Sequence, residues 1–169
     1  MTHSLDHINQ MSQREFLSCF GHIFEETPLV AQQAWLARPF ENIADLHQKM
    51  VAVVTDHMPL EEQLALIQAH PELGARQKMA DASVQEQASA GLSQLNPDDY
   101  QRIQALNTAY KEKFGFPFIV AVKGLTVKDI IAEMEERIQL EKDMEISRSL
   151  LEIYKIARFR LEDLVEDTV

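Results

Sequence analysis

Helix-start patterns recur along the whole chain and limit what it can fold into. In such patterns a polar side chain accepts hydrogen bonds from the free N–H groups of the first helical turn, or a proline occupies the first helical position. Five stretches fit: Ser12-x-x-Glu15, Thr27-Pro28, Ser83-x-x-Glu86, Asn96-Pro97-Asp98-Asp99 and Thr126-x-x-Asp129. Apolar residues at helical spacing follow the first start, beginning with Phe16 and Leu17. These starts predict a chain built mainly from helices.

The ends of the predicted helices follow from the prolines. The residue before a proline disfavours helical backbone, so we expect one helix to stop before Arg38-Pro39 and another near Pro59. Two helices begin at Ser12 and Thr27, and the others cover approximately residues 43–58, 60–69, 83–91, 96–114, 126 onward and 146–165.

Residues 116–122 form a short apolar run, Phe-Pro-Phe-Ile-Val-Ala-Val, that does not fit a helix. Periodicity does not distinguish a strand from buried extended chain here. Its backbone N–H and C=O groups need partners, from neighbouring chain or from a polar heterocycle. The predicted fold is therefore all-α, a single-domain bundle of about eight helices over residues 1–169. It has one short extended apolar segment and a loose N-terminus at residues 1–11.

Charge and composition exclude several classes of protein. The chain has 16 Lys and Arg against 27 Asp and Glu, a net charge of −11, which phosphate backbones repel. No apolar run approaches the ~20 residues of a membrane span. The first residues lack the basic and apolar regions of a signal peptide, and the last three are not a peroxisomal address. With Cys19 alone no internal disulfide is possible. We expect a soluble cytoplasmic protein that binds neither nucleic acid nor membrane.

Among the six histidines, His70 is the best placed for chemistry. It stands at a predicted helix end, before Pro71 and a turn at Gly74, where acid/base residues are often displayed. A positive imidazole that caps the helix C-terminus is an equally good interpretation. His22-x-x-Glu25 places two metal ligands on one helix face, but no matching pattern accompanies it, so we expect no metal site. For Glu86, the local pattern favours the capping-box partner of Ser83.

The last helix carries two arginines at the edges of its apolar stripe. Arg158 and Arg160 each lie about 80° from the centre of the stripe, on opposite sides. Periodicity leaves open which of them faces a pocket, and a solvated stripe edge suits either.

Four segments, taken in order, resemble the family of 2-oxo-4-hydroxy-4-carboxy-5-ureidoimidazoline (OHCU) decarboxylases. They are His70-Pro71-Glu72-Leu73-Gly74, residues 83–92 (SVQEQASAGL), residues 114–124 (FGFPFIVAVKG), and residues 153–164 with Ile156-Ala157-Arg158-Phe159-Arg160-Leu161. A Ser-x-x-Glu-Gln element shortly after a His-Pro element makes the combination specific. Two positions depart from the family: Leu140 stands where an asparagine is common, and Phe159 where leucine is usual.

The resemblance implies an all-α homodimer that works without a cofactor and releases CO2 from the ureidoimidazoline to give (S)-allantoin in urate degradation. It implies that His70, Glu86 and Arg160 are the catalytic residues, and so selects Arg160 over Arg158. The substrate-binding residues that it implies are Pro71, Ser83, Val84, Gln85, Glu86, Gln87, Phe118, Ile119, Val120, Ala121 and Val122. The alternatives are a helical binding module, an enzyme for a related ureido heterocycle, and a His/Glu metalloprotein.

Overall fold

The computed structural model describes residues 1–74 and 81–166, with backbone only at residues 81 and 82. The described residues form nine α-helices and one π-helical turn. They are α1 (Leu5–Gln10), α2 (Gln13–Phe20), α3 (Leu29–Trp35), α4 (Ile43–Ala52), the π-helical turn (Val53–His57), α5 (Leu60–Gln68), α6 (Asp81–Ser89), α7 (Pro97–Phe114), α8 (Val127–Arg137) and α9 (Lys142–Leu164). The prediction of an all-α fold is confirmed.

Three of the five predicted helix starts hold in atomic detail. The Ser12 and Thr126 side chains each accept a hydrogen bond from the N–H three residues on, and the carboxylate of that later residue accepts one from the N–H of the cap, which completes both capping boxes. Asn96 accepts from the N–H of Asp99 at 2.8 Å, and proline takes the first position of α7. Local side-chain chemistry therefore fixes α2, α7 and α8.

A helix is also present at the other two predicted starts, but the predicted caps are wrong. Helix α3 begins at Leu29 with Pro28 at its N-cap, because the Thr27 hydroxyl donates instead to the carbonyl oxygen of Glu25 at 2.7 Å. Ser83 lies inside α6, which begins by Asp81, so it is not an N-cap. The capping-box interpretation of Glu86 fails with it.

Two terminal regions also differ from expectation. Residues 1–11, expected to be loose, contain α1, whose Ile8 is fully buried. The backbone of His3 pairs with the C-terminal chain: its N–H donates to Leu164 O and its C=O accepts from Glu166 N, both at 2.8 Å. Helix α9 starts at Lys142, four residues before the predicted start, since Asp143 and Glu145 suit a first turn.

The described residues fall into two compact units. The first draws on Met1–Ala69 and Tyr154–Val169, and the second on His70–Ile153. In the first unit, Phe16 packs against Phe20 and Phe40, with ring centroids 4.9 and 5.9 Å apart. The single domain predicted over residues 1–169 stays a prediction.

The second unit has its own aromatic core. Tyr110 contacts the rings of Phe114, Phe116 and Phe118 at centroid distances of 4.6, 5.9 and 5.3 Å. This packing draws the non-helical residues 116–122 into the interior, as the apolar run predicts, and every one of them is buried. Across the described residues, every helix is too short or too polar to span a lipid bilayer.

Candidate functional site

His70 opens a short loop in the second unit and is only 7% exposed. The loop runs to Gly74, whose backbone has a φ of +67°, a conformation that glycine adopts at little cost. A polar imidazole held this far from solvent suits acid/base chemistry, because the surrounding structure restricts its orientation.

Two buried amides hold the loop that His70 opens. Gln87 Oε1 accepts from Gly74 N at 2.9 Å, and its Nε2 donates to Glu72 O at 3.3 Å. Asn107, 2% exposed, donates from Nδ2 to Leu73 O at 2.9 Å. The backbone after His70 is therefore fixed by side chains of α6 and α7.

Helix α6 turns some of its predicted site residues inward and others outward. Ser83 and Gln87 are 4% and 7% exposed and, four residues apart, share one face. Glu86 is partly buried, whereas the side chains of Val84 and Gln85 are exposed. Within this helix, Ser83, Glu86 and Gln87 are the predicted residues with access to the interior.

The backbone of residues 118–122 is anchored by two buried side chains. Arg137, the last residue of α8, donates from a terminal nitrogen to Ile119 O at 2.6 Å. On α9, the Oε1 of Glu152 accepts from Ala121 N at 3.1 Å. Neighbouring chain therefore satisfies part of this backbone, the first of the two sources considered from the sequence.

Arg137, one of these two side chains, is also part of a buried ion pair. Arg137 and Glu145 are 2% and 0% exposed, and Nε of Arg137 donates to Glu145 Oε1 at 2.9 Å. The Tyr110 hydroxyl donates to the same oxygen at 2.6 Å. Burial and this neighbouring carboxylate raise the pKa of Tyr110, so the phenol stays protonated and keeps donating.

Five of the residues that hold these two segments in place have no site role predicted from the sequence: Asn107, Tyr110, Arg137, Glu145 and Glu152. One signal was present in α9, where Glu145, Ser149 and Glu152 recur at helical spacing and are all buried. Polar residues aligned along one helix face mark a surface that pairs with other polar groups.

Arg160 belongs to the first unit and is 7% exposed. It donates to Glu25 Oε1 at 2.8 Å and to Ile23 O at 3.1 Å. Arg158 is partly exposed and pairs with Glu162, one turn on, at 3.0 Å. Of the two arginines, Arg160 is therefore the buried one, and its role in a substrate site stays a prediction.

The His22-x-x-Glu25 pattern has another use in the structure. The Glu25 carboxylate, 6% exposed, faces the guanidinium of Arg160. In the described part of the chain, no group of three or more His, Cys, Asp or Glu side chains is placed to hold a metal ion.

The comparisons with known proteins agree with one another. A family model described as OHCU decarboxylase matches residues 9–162. An OHCU decarboxylase from Halalkalicoccus jeotgali is 43% identical, over 95% of this chain and 91% of that protein. The uric acid degradation bifunctional protein PucL of Bacillus subtilis is 42% identical over 97% of this chain, which spans only 33% of its length.

A solved structure supports the same fold. The crystal structure of (S)-allantoin synthase superposes with a TM-score of 0.77 at 25% sequence identity. The match covers 96% of this chain and 54% of the solved one.

Proposed function

The chain belongs to the OHCU decarboxylase family, and from this membership we propose that it converts the ureidoimidazoline to (S)-allantoin and CO2 in urate degradation. The observation that carries the proposal is the family match over residues 9–162. Its site residues are proposed from the resemblance together with their surroundings in each unit.

The substrate carries a carboxylate and a hydroxyl on one ring carbon, next to a C=N bond. When the carbon–carbon bond to the carboxylate breaks, CO2 leaves and the electron pair flows toward the imine nitrogen. The nitrogen takes up a proton, which leaves a C=C bond between the two ring carbons. A second proton is then added to the ring carbon that bears the ureido group, while the hydroxyl on the other carbon loses its proton and becomes a carbonyl. Because the substrate holds its own electron sink, we propose catalysis without a cofactor.

His70 is the proposed acid/base residue. As a base it takes the hydroxyl proton, and it or a neighbour directs the proton that sets the configuration of allantoin. The hydrogen bonds of Gln87 and Asn107 to its loop support this role, because an acid/base group acts only from a fixed position.

The other residues are proposed to bind and orient the heterocycle. Glu86 accepts hydrogen bonds from ring or ureido N–H groups, with Ser83 and Gln87 beside it on the inward side of α6. Pro71 and residues 118–122 line the ring. Contacts from Val84 and Gln85 stay predictions, and they require backbone rather than the exposed side chains.

Arg160 is proposed to hold an anionic oxygen of the substrate, with Glu25 orienting the guanidinium. Which oxygen it holds matters, because strong binding of the departing carboxylate favours the ground state over the transition state.

We also propose that the chain is a homodimer that works in the cytoplasm, its one cysteine, Cys19, being free. Light scattering of the purified protein tests the dimer.

A coupled assay tests the proposed function. The unstable ureidoimidazoline is generated from urate with excess upstream enzymes, and its absorbance decay and the circular dichroism of the allantoin are followed. We expect the protein to accelerate decay and to give one enantiomer, and the folded His70→Ala variant to lose both effects. Decay at the spontaneous rate with racemic product would favour a binding module or an enzyme for a related ureido compound.

A further inference from the structure

We propose that Arg137 and Glu152 are positioning residues that set the backbone of residues 118–122 so that the Val120 peptide groups bind the substrate. The inference rests on the proposed function, because it takes that segment as a wall of the substrate site. It adds residues that act through the segment and do not touch the substrate themselves.

Arg137 and Glu152 bind opposite kinds of backbone group, a C=O and an N–H, two residues apart in the segment. Arg137 supplies a donor to the carbonyl of Ile119, and Glu152 supplies an acceptor to the N–H of Ala121. Both residues are 2% exposed, so water competes little for these hydrogen bonds. Together they fix the chain on either side of Val120.

Arg137 is itself held in place from several directions. Its Nε and one terminal nitrogen both lie 2.9 Å from Glu145 Oε1, and its guanidinium carbon lies 4.3 Å from the centre of the Phe118 ring. A buried ion pair adds little net stability over apolar residues of the same size, because both charges lose their hydration. A guanidinium fixed in this way is better explained by the orientation it gives the segment.

Val120 lies between the two anchored positions, Ile119 and Ala121. It is 5% exposed, and within the described residues of the chain neither its N–H nor its C=O has a hydrogen-bond partner. Buried peptide groups are nearly always paired. One donor and one acceptor side by side match a ureido or ring amide, which offers a C=O and an N–H next to each other.

Two variants at Glu152 separate loss of the hydrogen bond to Ala121 N from the general effect of replacing this residue. Glu152→Gln keeps an oxygen that accepts from Ala121 N, whereas Glu152→Leu removes it. In the coupled assay we expect Glu152→Leu to raise KM about tenfold while kcat changes less, because lost binding shared by substrate and transition state appears in KM. For Glu152→Gln the KM rise is expected to be smaller, within about threefold.

Arg137 is tested with a charge-neutral double variant, Arg137→Met with Glu145→Gln, which leaves no buried charge unpaired and keeps an acceptor for Tyr110. We expect a KM rise of the same order as for Glu152→Leu.

Two control variants accompany the double variant. Arg102→Gln removes an exposed arginine that pairs with Glu135, and Ile130→Ala opens a cavity in the same helix α8 as Arg137.

The outcomes separate the possibilities. A KM for Glu152→Leu and for the double variant that stays within about twofold of the Arg102→Gln value would overturn the positioning role. An equal KM rise in Ile130→Ala, at a matched loss of Tm, would also overturn it, since general loosening would then explain the effect. A wild-type protein that does not accelerate substrate decay would instead overturn the proposed function, and this inference with it.

Discussion

Gln87 holds the backbone of Gly74, accepting a hydrogen bond from its N–H at 2.9 Å in buried surroundings. The same amide donates to the carbonyl oxygen of Glu72 at 3.3 Å. Both bonds close on the loop that His70 opens, so a residue of α6 restricts where the proposed acid/base group lies.

Replacing Gln87 should therefore weaken both the fold and the catalysis. Gln87→Met leaves a buried N–H without an acceptor, which costs about 1–3 kcal/mol of unfolding free energy. We expect urea unfolding to show that loss and the coupled assay to show a lower kcat. Gln101→Met, the same change at an exposed position of α7, is the control. Equal unfolding free energies for the two variants would contradict the prediction.

Gly74 is restricted both by its backbone and by a neighbour. An added Cβ would meet Leu95 Cδ1 at 3.1 Å, and the φ of +67° strains any other L residue by about 1–2 kcal/mol. Gly124 has a φ of +83° with no atom within 4 Å of such a Cβ, so Gly124→Ala carries the strain alone. Thermal unfolding should show a larger loss of stability for Gly74→Ala, and kcat/KM should fall in that variant. Identical losses of Tm would mean that Leu95 moves aside freely.

The buried pair of Arg160 and Glu25 allows structure and catalysis to be separated. Arg160→Met strands the Glu25 carboxylate, and breaking a buried pair in this way costs about 3–5 kcal/mol. Adding Glu25→Leu should recover most of the stability. Turnover should stay low in both variants, because the proposed contact with anionic oxygen is still missing.

Arg158→Met provides the control for Arg160. Arg158 pairs with Glu162 at the surface, and such a pair contributes only about 0.3–0.5 kcal/mol. Urea unfolding and the coupled assay measure all three variants. If the double variant regained wild-type turnover along with its stability, Arg160 would have a structural role only.

How far the sequence predicts this structure depends on the range of the interactions. The starts at Ser12, Asn96 and Thr126 were predictable because a cap bonds within three residues of itself. The start at Ser83 was not, since it required knowing that the helix already runs through that serine. Local patterns identify caps only where the chain before them is not already helical.

The candidate site shows the same limit. His70 was found from its neighbours Pro71 and Gly74, which are adjacent in sequence. Glu145 lies 35 positions from its partner Tyr110, and Asn107 lies 34 positions from Leu73. Both were missed because these separations are too long for any local pattern. A buried partner at that separation is set by helix packing, which spacing within one helix does not encode.

His47 gives a stability prediction that varies with pH. Burial lowers its pKa, and the charge of Arg158 lowers it further, while a hydrogen bond to Tyr154 O and the charge of Glu162 oppose them. The folded state therefore binds a proton here less readily than the unfolded chain, whose histidine titrates near 6.5. The stabilisation of the folded state by neutral His47 is complete above that pH, and it is lost as the pH falls toward the lower pKa of the folded state. In His47→Gln an amide can still donate to Tyr154 O but does not titrate, so its urea midpoint should fall less than that of the wild type between pH 8 and pH 5. Parallel midpoints for the two proteins across this range would show that His47 titrates alike in both states.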